Sequence, residues 1–243
     1  MKELTLTMPY EEDWQTKEAF KTLRTNLLFC GSEVRAVGIT SCTENEGKST
    51  VSMGLCANLA QIGKRVILLD CDLRKSVLVS RYKIDEEIVG LSHYLSGQAE
   101  KEEVIYRTNV EGMDMALAGI VPPNPTELLG NQRFQTLVQE LREEYDYVVL
   151  DTPPLGKVVD SIVVSEYLDG MALVVSANMV SRKYVERIAG QLERAEAKLL
   201  GVIVNKVSRR AKKYGYGYGY GYGYGYGYGY GEEYGHTPKK EEE

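Results

Sequence analysis

The run Val34-Arg35-Ala36-Val37-Gly38-Ile39-Thr40-Ser41-Cys42-Thr43-Glu44-Asn45-Glu46-Gly47-Lys48-Ser49-Thr50 passes from apolar residues, through a short polar loop, into Gly-Lys-Ser-Thr. A helical pattern follows from Lys48 to Gln61. A strand, a loop and a helix in that order form the setting in which such a loop cradles phosphate. Backbone N–H groups and the positive helix end face the anion, the lysine pairs with the outer phosphates, and the hydroxyl after it can hold Mg²⁺. On this reading Thr43, Glu44, Asn45, Glu46, Gly47, Lys48, Ser49 and Thr50 are the phosphate-binding residues, Lys48 is catalytic and Ser49 is a metal ligand. Cys42 stands where such loops usually carry their first glycine. Asn45 falls where a second glycine often sits, and asparagine is among the non-glycine residues that most readily take positive φ. Taken alone, the run is also compatible with an ordinary strand-to-helix turn.

Two further stretches narrow that choice. Val66-Ile67-Leu68-Leu69-Asp70-Cys71-Asp72-Leu73-Arg74 ends an apolar strand with two carboxylates and an arginine, and Val148-Val149-Leu150-Asp151-Thr152-Pro153-Pro154 ends another with an acid. Each acid falls at a strand's carboxyl end, where open α/β sheets bind their ligands. Together with the loop, these acids can hold a divalent cation and accept a proton. Asp72 and Asp151 are the expected metal ligands beside Ser49. Asp70 or Asp72 is the expected proton acceptor, and Asp151 serves the metal either directly or from its outer shell. Arg74 either neutralises phosphate charge or anchors the loop that follows it.

Outward from these motifs, short apolar runs at Val34 to Thr40, Arg65 to Leu69, Met113 to Ala118, Tyr147 to Leu150, Met171 to Ser176 and Leu200 to Val204 read as strands buried on both faces. Helical patterns at Lys48 to Gln61, Gln132 to Glu144, Asp160 to Tyr167 and Arg182 to Ala195 lie between them, and Trp14 to Phe29 forms an amphipathic helix ahead of them, with Ala19, Phe20, Leu23 and Leu27 as its apolar positions. The alternation predicts an α/β fold, a mostly parallel sheet with helices on both faces and right-handed crossovers, of the P-loop nucleotide-hydrolase kind. Three segments are expected: residues 1–33 as an N-terminal segment and helix, 34–208 as the phosphate-binding domain, and 209–243 as a flexible tail.

Composition excludes several classes. No apolar run approaches the roughly 18 residues of a membrane-spanning helix, and the first residues lack a signal-peptide pattern, so a cytoplasmic chain is expected. The four cysteines, Cys30, Cys42, Cys56 and Cys71, have neither CxxC nor zinc spacing and read as reduced structural thiols. A net charge of −6 argues against coating nucleic acid, and the basic cluster from Arg209 to Lys213 reads as a solvated helix end or as a contact for an acidic surface. His93 and His236 stand alone, without metal partners in the sequence pattern.

From Tyr214 to Gly231, tyrosine and glycine alternate, giving Tyr214, Tyr216, Tyr218, Tyr220, Tyr222, Tyr224, Tyr226, Tyr228 and Tyr230, with Tyr234 beyond them. Glycine at every second position and charged flanks predict an unpacked tether. Ten of the chain's eighteen tyrosines are therefore expected to be offered to solvent. A phenol on a tether, close in sequence to a phosphoryl donor site, points to a kinase that phosphorylates its own tail. About 20 flexible residues reach roughly 25 Å, enough to meet a neighbouring copy. The competing reading of the tail is a self-associating low-complexity spacer.

These residues resemble a known family, the bacterial tyrosine kinases of capsule and exopolysaccharide synthesis, in particular the stand-alone cytoplasmic kinases of Gram-positive bacteria. The likeness rests on the Gly-Lys-Ser-Thr loop and on Asp70, Asp72 and Arg74 as a DxDxR motif. It extends to Asp151 to Pro154 as a DxxP motif, to Ala118 to Leu129 with its PPNPxELL stretch, and to the tyrosine cluster. The resemblance implies an ATP- and Mg²⁺-dependent protein-tyrosine kinase that phosphorylates its tail within an oligomer, acts on protein tyrosines and regulates polysaccharide synthesis and export. It also implies activation, and recruitment to the inner membrane face, by the cytosolic segment of a transmembrane polysaccharide co-polymerase. Asn205, after the last strand, is by the same resemblance an adenine contact, and otherwise a turn residue. The family's ExxRxxR ring-assembly motif appears as Glu18, Lys21 and Arg24, spaced to share a helix face, with Lys21 unable to supply a bidentate guanidinium. Glu44-Asn45 replaces the family's Pro-Gly in the loop. Two alternatives share the fold: a partition or septum-site type ATPase switch, whose additional early loop lysine has no counterpart among Ser41, Cys42 and Thr43, and a kinase-like scaffold with poor turnover.

Overall fold

The structure is a computed structural model and describes residues 2–7 and 13–207. The tail, with all ten expected phosphoacceptor tyrosines, lies outside the described residues. In chain order the elements are β1 (Lys2–Leu4), α1 (Trp14–Phe29), β2 (Ala36–Ser41), α2 (Lys48–Ala60), β3 (Val66–Asp70), α3 (Leu78–Arg81), α4 (Leu91–Leu95), α5 (Lys101–Val104), β4 (Tyr106–Thr108), β5 (Met113–Ala116), α6 (Pro125–Leu129), α7 (Gln132–Glu144), β6 (Tyr147–Asp151), α8 (Asp160–Ser165), β7 (Gly170–Ser176), α9 (Arg182–Arg194) and β8 (Leu199–Asn205). They build one sheet in the order β1-β4-β5-β3-β6-β2-β7-β8. Its neighbours pair in parallel except β4 with β5.

The apolar residues of β3 alternate between two of the three cores because successive side chains of a strand point to opposite faces. Val66 and Leu68 of β3 join the core that includes α1 and α2, whereas Ile67 and Leu69 join the one that includes α4, α5 and α7. Both faces are thus covered at β2, β3, β6 and β7, which explains why these strands read as continuous apolar runs. The run Leu200 to Val204 is the exception, because β8 lies at the sheet edge and leaves Val202 and Val204 exposed, correcting its expected burial on both faces. The second β3 core also takes Phe134, Leu137, Val138 and Leu141 of α7. Asn131 starts that helix by accepting a hydrogen bond from the Phe134 N–H at 2.9 Å.

Some boundaries differ from expectation for local reasons. The run Met113 to Ala118 leaves the ladder after Ala116, because the carbonyls of Leu117 and Ala118 accept from Leu91 and Ser92 at 2.7 and 2.9 Å, covering the start of α4. The helix expected to reach Tyr167 ends at Ser165, after which Tyr167 donates to Val164 in a tighter turn. The short elements β1, β4, α3, α4, α5 and α6 were not anticipated, since three to five residues carry too little periodicity to be read. β1 pairs with β4, so the N-terminal segment contributes a strand to the same sheet.

In α1, Phe20 and Leu27 are buried and Leu23 is partly so, whereas Ala19 is exposed, correcting its expected place on the apolar face. Gly54 of α2 is the seat of this contact: a Cβ added there would come within 2.3 Å of the Phe20 ring. Gly54→Val is expected to destabilise the fold by about 1–3 kcal/mol through overpacking. Combining it with Phe20→Ala should cost less than the sum of the single changes, as measured by urea unfolding of the four proteins of the cycle.

Candidate active site

The sheet order sets the site. The phosphate loop leaves β2, and β6 lies between β2 and β3, so the carboxyl ends of these three strands are neighbours. The register pairs Asp70 of β3 with Asp151 of β6, and Ile39 of β2 with the same Asp151. Asp70, Asp72 and Asp151 are at most 5% exposed. Three buried carboxylates this close need a cation, and Lys48 supplies it from the first turn of α2. Its Nζ lies 3.0 Å from Asp72 Oδ2 and 3.6 Å from Asp151 Oδ1, and donates to Ser49 Oγ at 3.4 Å. Five of the residues picked out by sequence, Lys48, Ser49, Asp70, Asp72 and Asp151, are therefore brought together.

The acids are held differently. Asp70 accepts from Ser76 Oγ and, at 3.3 Å, from the Asp72 N–H, so it props Asp72 from behind. Asp72 also accepts from the Lys75 N–H at 3.1 Å and lines the open cleft, which Asp70 does not. Asp151 accepts from Ser52 Oγ at 3.3 Å through Oδ1, while its Oδ2 is buried without a hydrogen-bond partner. Burial pushes the Asp70 carboxyl up to about 7, with the charge of Asp151 adding and Ser76 and Lys48 opposing. Burial likewise raises Asp151, against the pull of Lys48. For Lys48 burial alone would lower the pKa, but Asp151 and Asp72 outweigh it and the ammonium is held above its usual range.

The loop adopts the shape its sequence permits. Asn45 takes φ 61° and Gly47 φ 96°. Gly47 is the N-cap of α2, and a Cβ there would meet Asn205 Nδ2 at 2.2 Å. The open cleft above the loop is lined by Asn45, Gly47, Lys48, Ser49, Asp72 and Arg81, among others. Cys42 and Cys71 beside the loop are buried, and burial pushes the Cys42 thiol up to about 12, so neither is a nucleophile at neutral pH.

Other expected residues are engaged elsewhere. Arg74 lines the cleft, but its Nε and Nη2 donate to the two oxygens of the buried Asp160 at 2.7 and 3.0 Å, and Nη2 donates to Thr126 Oγ1 at 2.8 Å. Of its two open readings the anchor is what the geometry contains. Asn205 donates its Nδ2 to the Glu46 carbonyl at 2.9 Å, so its amide holds the loop. Thr43 gives its N–H to the Glu46 carboxylate at 2.6 Å, and Glu44 pairs with Lys75 at 3.4 Å. The Thr50 hydroxyl accepts from Arg81. On α1, Glu18 and Lys21 pair with each other at 2.7 Å, and Arg24 donates to the Asn58 carbonyl of α2 at 3.1 Å, leaving its Nε buried without a partner. Arg81 and Lys157 are cleft cations that sequence reading missed. They sit in stretches without a motif, and only folding brings them to the loop.

Hydroxyl and carboxylate oxygens from Ser49, Asp72 and Asp151 surround the Lys48 ammonium, and Asp151 keeps one oxygen unpartnered. Such hard oxygen donors suit Mg²⁺, which takes one or two protein ligands and completes its shell with phosphate and water. Among the described residues no cluster of three or more His, Cys, Asp or Glu forms an all-protein metal cage. No helix among the described residues is long and apolar enough to cross a membrane.

Fold and site together define a nucleotide-binding P-loop protein. Residues 39–199 match the AAA domain family. The chain is 42% identical over 201 residues to the tyrosine-protein kinase CpsD of Streptococcus agalactiae serotype Ia, covering 83% of this chain and 87% of that protein. The kinase domain of the Escherichia coli tyrosine kinase ETK superposes with a TM-score of 0.78 at 36% identity, covering 85% of this chain and 81% of that one. The septum site-determining protein MinD of Pyrococcus horikoshii OT3, complexed with Mg-ADP, shares the fold at 23% identity and a TM-score of 0.62, covering 73% of each chain. The chain belongs to the bacterial tyrosine-protein kinases of capsule and polysaccharide synthesis, of the CpsD type.

The raised Asp70 carboxyl carries a stability signature. Its proton is held more tightly in the folded state than at the ordinary carboxylate value near 4, so between about pH 4 and 7 the folded protein binds more protons than the unfolded one. Stability contributed by this group therefore falls as pH rises through that window and is level above it. In metal-free buffer, Asp70→Asn should gain on the parent by up to about 3 kcal/mol between pH 4.5 and 8, read from urea unfolding at each pH. A constant difference across the series would contradict this.

Proposed function

We propose that this kinase transfers the γ-phosphoryl group of Mg-ATP to tyrosines of its own C-terminal cluster, Tyr214 to Tyr234, on a neighbouring copy within an oligomer. The observation that carries the reading is the convergence of Lys48, Ser49, Asp72 and Asp151 at the phosphate loop. When nucleotide enters, Lys48 exchanges its carboxylate partners for the outer phosphates, and Ser49, Asp72 and Asp151 become available to the metal. Mg²⁺ in that position supplies charge neutralisation at the transferring group. Phosphoryl transfer to a phenol needs alignment and an acceptor for one proton. Asp72 faces the cleft and is that acceptor, while Asp70 fixes its backbone from behind. Arg81 and Lys157 add positive charge at the cleft wall, where Arg74 is occupied with Asp160.

Family membership supports the remaining roles. The activator is the cytosolic segment of a transmembrane polysaccharide co-polymerase, which brings the kinase to the inner membrane face. The oligomer is assembled through the α1 face that carries Glu18, Lys21 and Arg24. Because Glu18 and Lys21 pair with each other and Arg24 reaches Asn58, a ring contact at this face must replace partners already made, and a weaker ring is expected than with free arginines. Each phosphate adds about −1.5 to −2 charges to the tail, so a fully modified tail repels its neighbours and opens the assembly.

After incubation with Mg-ATP and the activator segment, mass spectrometry of the peptide from Tyr214 to Glu243 should find phosphotyrosine. Lys48→Met should reduce it at least about 100-fold, as expected when a charge that stabilises the transferring group is lost. ATP hydrolysis with an unmodified tail would instead favour a nucleotide switch. Light scattering should show the oligomeric mass falling on complete phosphorylation. An unchanged mass would refute the dissociation.

A further inference from the structure

Glu46 lies inside the phosphate loop, yet it is fully buried and does not line the cleft that its neighbours Glu44, Asn45, Gly47, Lys48 and Ser49 line. Its Oε2 accepts from the Thr43 N–H at 2.6 Å, within the loop, and its Oε1 accepts from the Ser176 N–H at 3.2 Å, at the end of β7. Its backbone carbonyl accepts from Asn205 Nδ2 at 2.9 Å, at the end of β8, and the Asn45 carbonyl accepts from Lys206 Nζ. Glu46 is flanked by the two left-handed residues of the loop, Asn45 and Gly47.

Burying a carboxylate is unfavourable unless strong hydrogen bonds replace its water, and bonds from N–H groups to a charged oxygen are among the strongest available. The Glu46 carboxylate has two such bonds, and both end on backbone that shapes the loop. We infer that Glu46 is a positioning residue for nucleotide. It occupies the Thr43 N–H and ties the loop to β7, so that the loop stands in its phosphate-receiving shape before any phosphate arrives. A loop ordered only by its ligand loses chain entropy at the moment of binding, and a preformed one does not. In a loop that has Cys42 and Asn45 where glycines commonly stand, the internal anion does part of the shaping otherwise left to the nucleotide. Glu46 itself does not touch phosphate. The inference rests on the nucleotide reading of the cleft.

Three measurements on the full chain test it. Calorimetric titration with Mg-ADP should give an affinity about 10-fold weaker for Glu46→Gln, whose amide must turn an N–H toward one of the two N–H donors and so loses a charge-assisted bond. In the same variant, KM for ATP should rise more than kcat falls, a split that a general loss of folded protein would not produce. Glu46→Asp, one methylene too short to reach both donors, should fall between the two. Hydrogen exchange of the peptide over residues 41–47 in the nucleotide-free parent should already be protected, and this readout holds whether or not the variants fold. Binding by folded Glu46→Gln within twofold of the parent, or an unprotected loop in the nucleotide-free parent, would overturn the inference. A parent that fails to bind Mg-ADP at all would instead remove the nucleotide reading, and the inference with it.

Discussion

The Lys48 ammonium allows buried carboxylates to share the carboxyl edge of this sheet. Parallel register sets Asp70 opposite Asp151, and the turn after β3 brings Asp72 to the same place. The Lys48 Nζ lies 3.0 Å from Asp72 and 3.6 Å from Asp151, and its charge opposes the burial that raises the Asp70 and Asp151 carboxyls. Even so, the Asp70 carboxyl is still pushed up to about 7. The arrangement is the electrostatic complement of a phosphate and its metal: one cation and several oxygens, held by strands that are buried on both faces.

That rigidity has a second source in the way the loop is attached. Glycine-rich phosphate loops are free to take left-handed conformations, and this one replaces part of that freedom with bonds. Asn45 and Gly47 provide the positive φ angles, Gly47 is packed against Asn205, and Glu46 reaches back to the end of β7. The strands that bound the site also hold its loop, so the same sheet that aligns the acids sets the position of the lysine. On the other side of β2, Arg74 and Asp160 tie the segment after β3 to the start of α8 through two hydrogen bonds.

Membership in a kinase family and the local chemistry support one another without being the same statement. A fold shared with MinD at 23% identity shows only that many activities can be built on this sheet. The kinase identity comes from sequence likeness across most of the chain.

By itself the sequence determined the elements with strong local signals. The helices Trp14–Phe29 and Gln132–Glu144 were legible to the residue because each has a sustained apolar period and an N-cap. The phosphate loop and the acids Asp70, Asp72 and Asp151 were legible because each follows a continuous apolar run. What only the tertiary structure decided were the relations between distant segments. The insertion of β6 between β2 and β3, the antiparallel pair β4 and β5, and the short helices α3 to α6 depend on which backbone groups find partners after folding. The same holds for single side chains. Nothing local distinguishes a Glu46 that points at phosphate from one that anchors a loop, an Arg74 that faces a ligand from one bound to Asp160, or an Arg81 at solvent from one beside Thr50. A side chain's residue type limits which bonds it can make, but which it does make depends on neighbours more than a hundred residues away, as between Glu46 and Ser176, and sequence spacing carries no record of them.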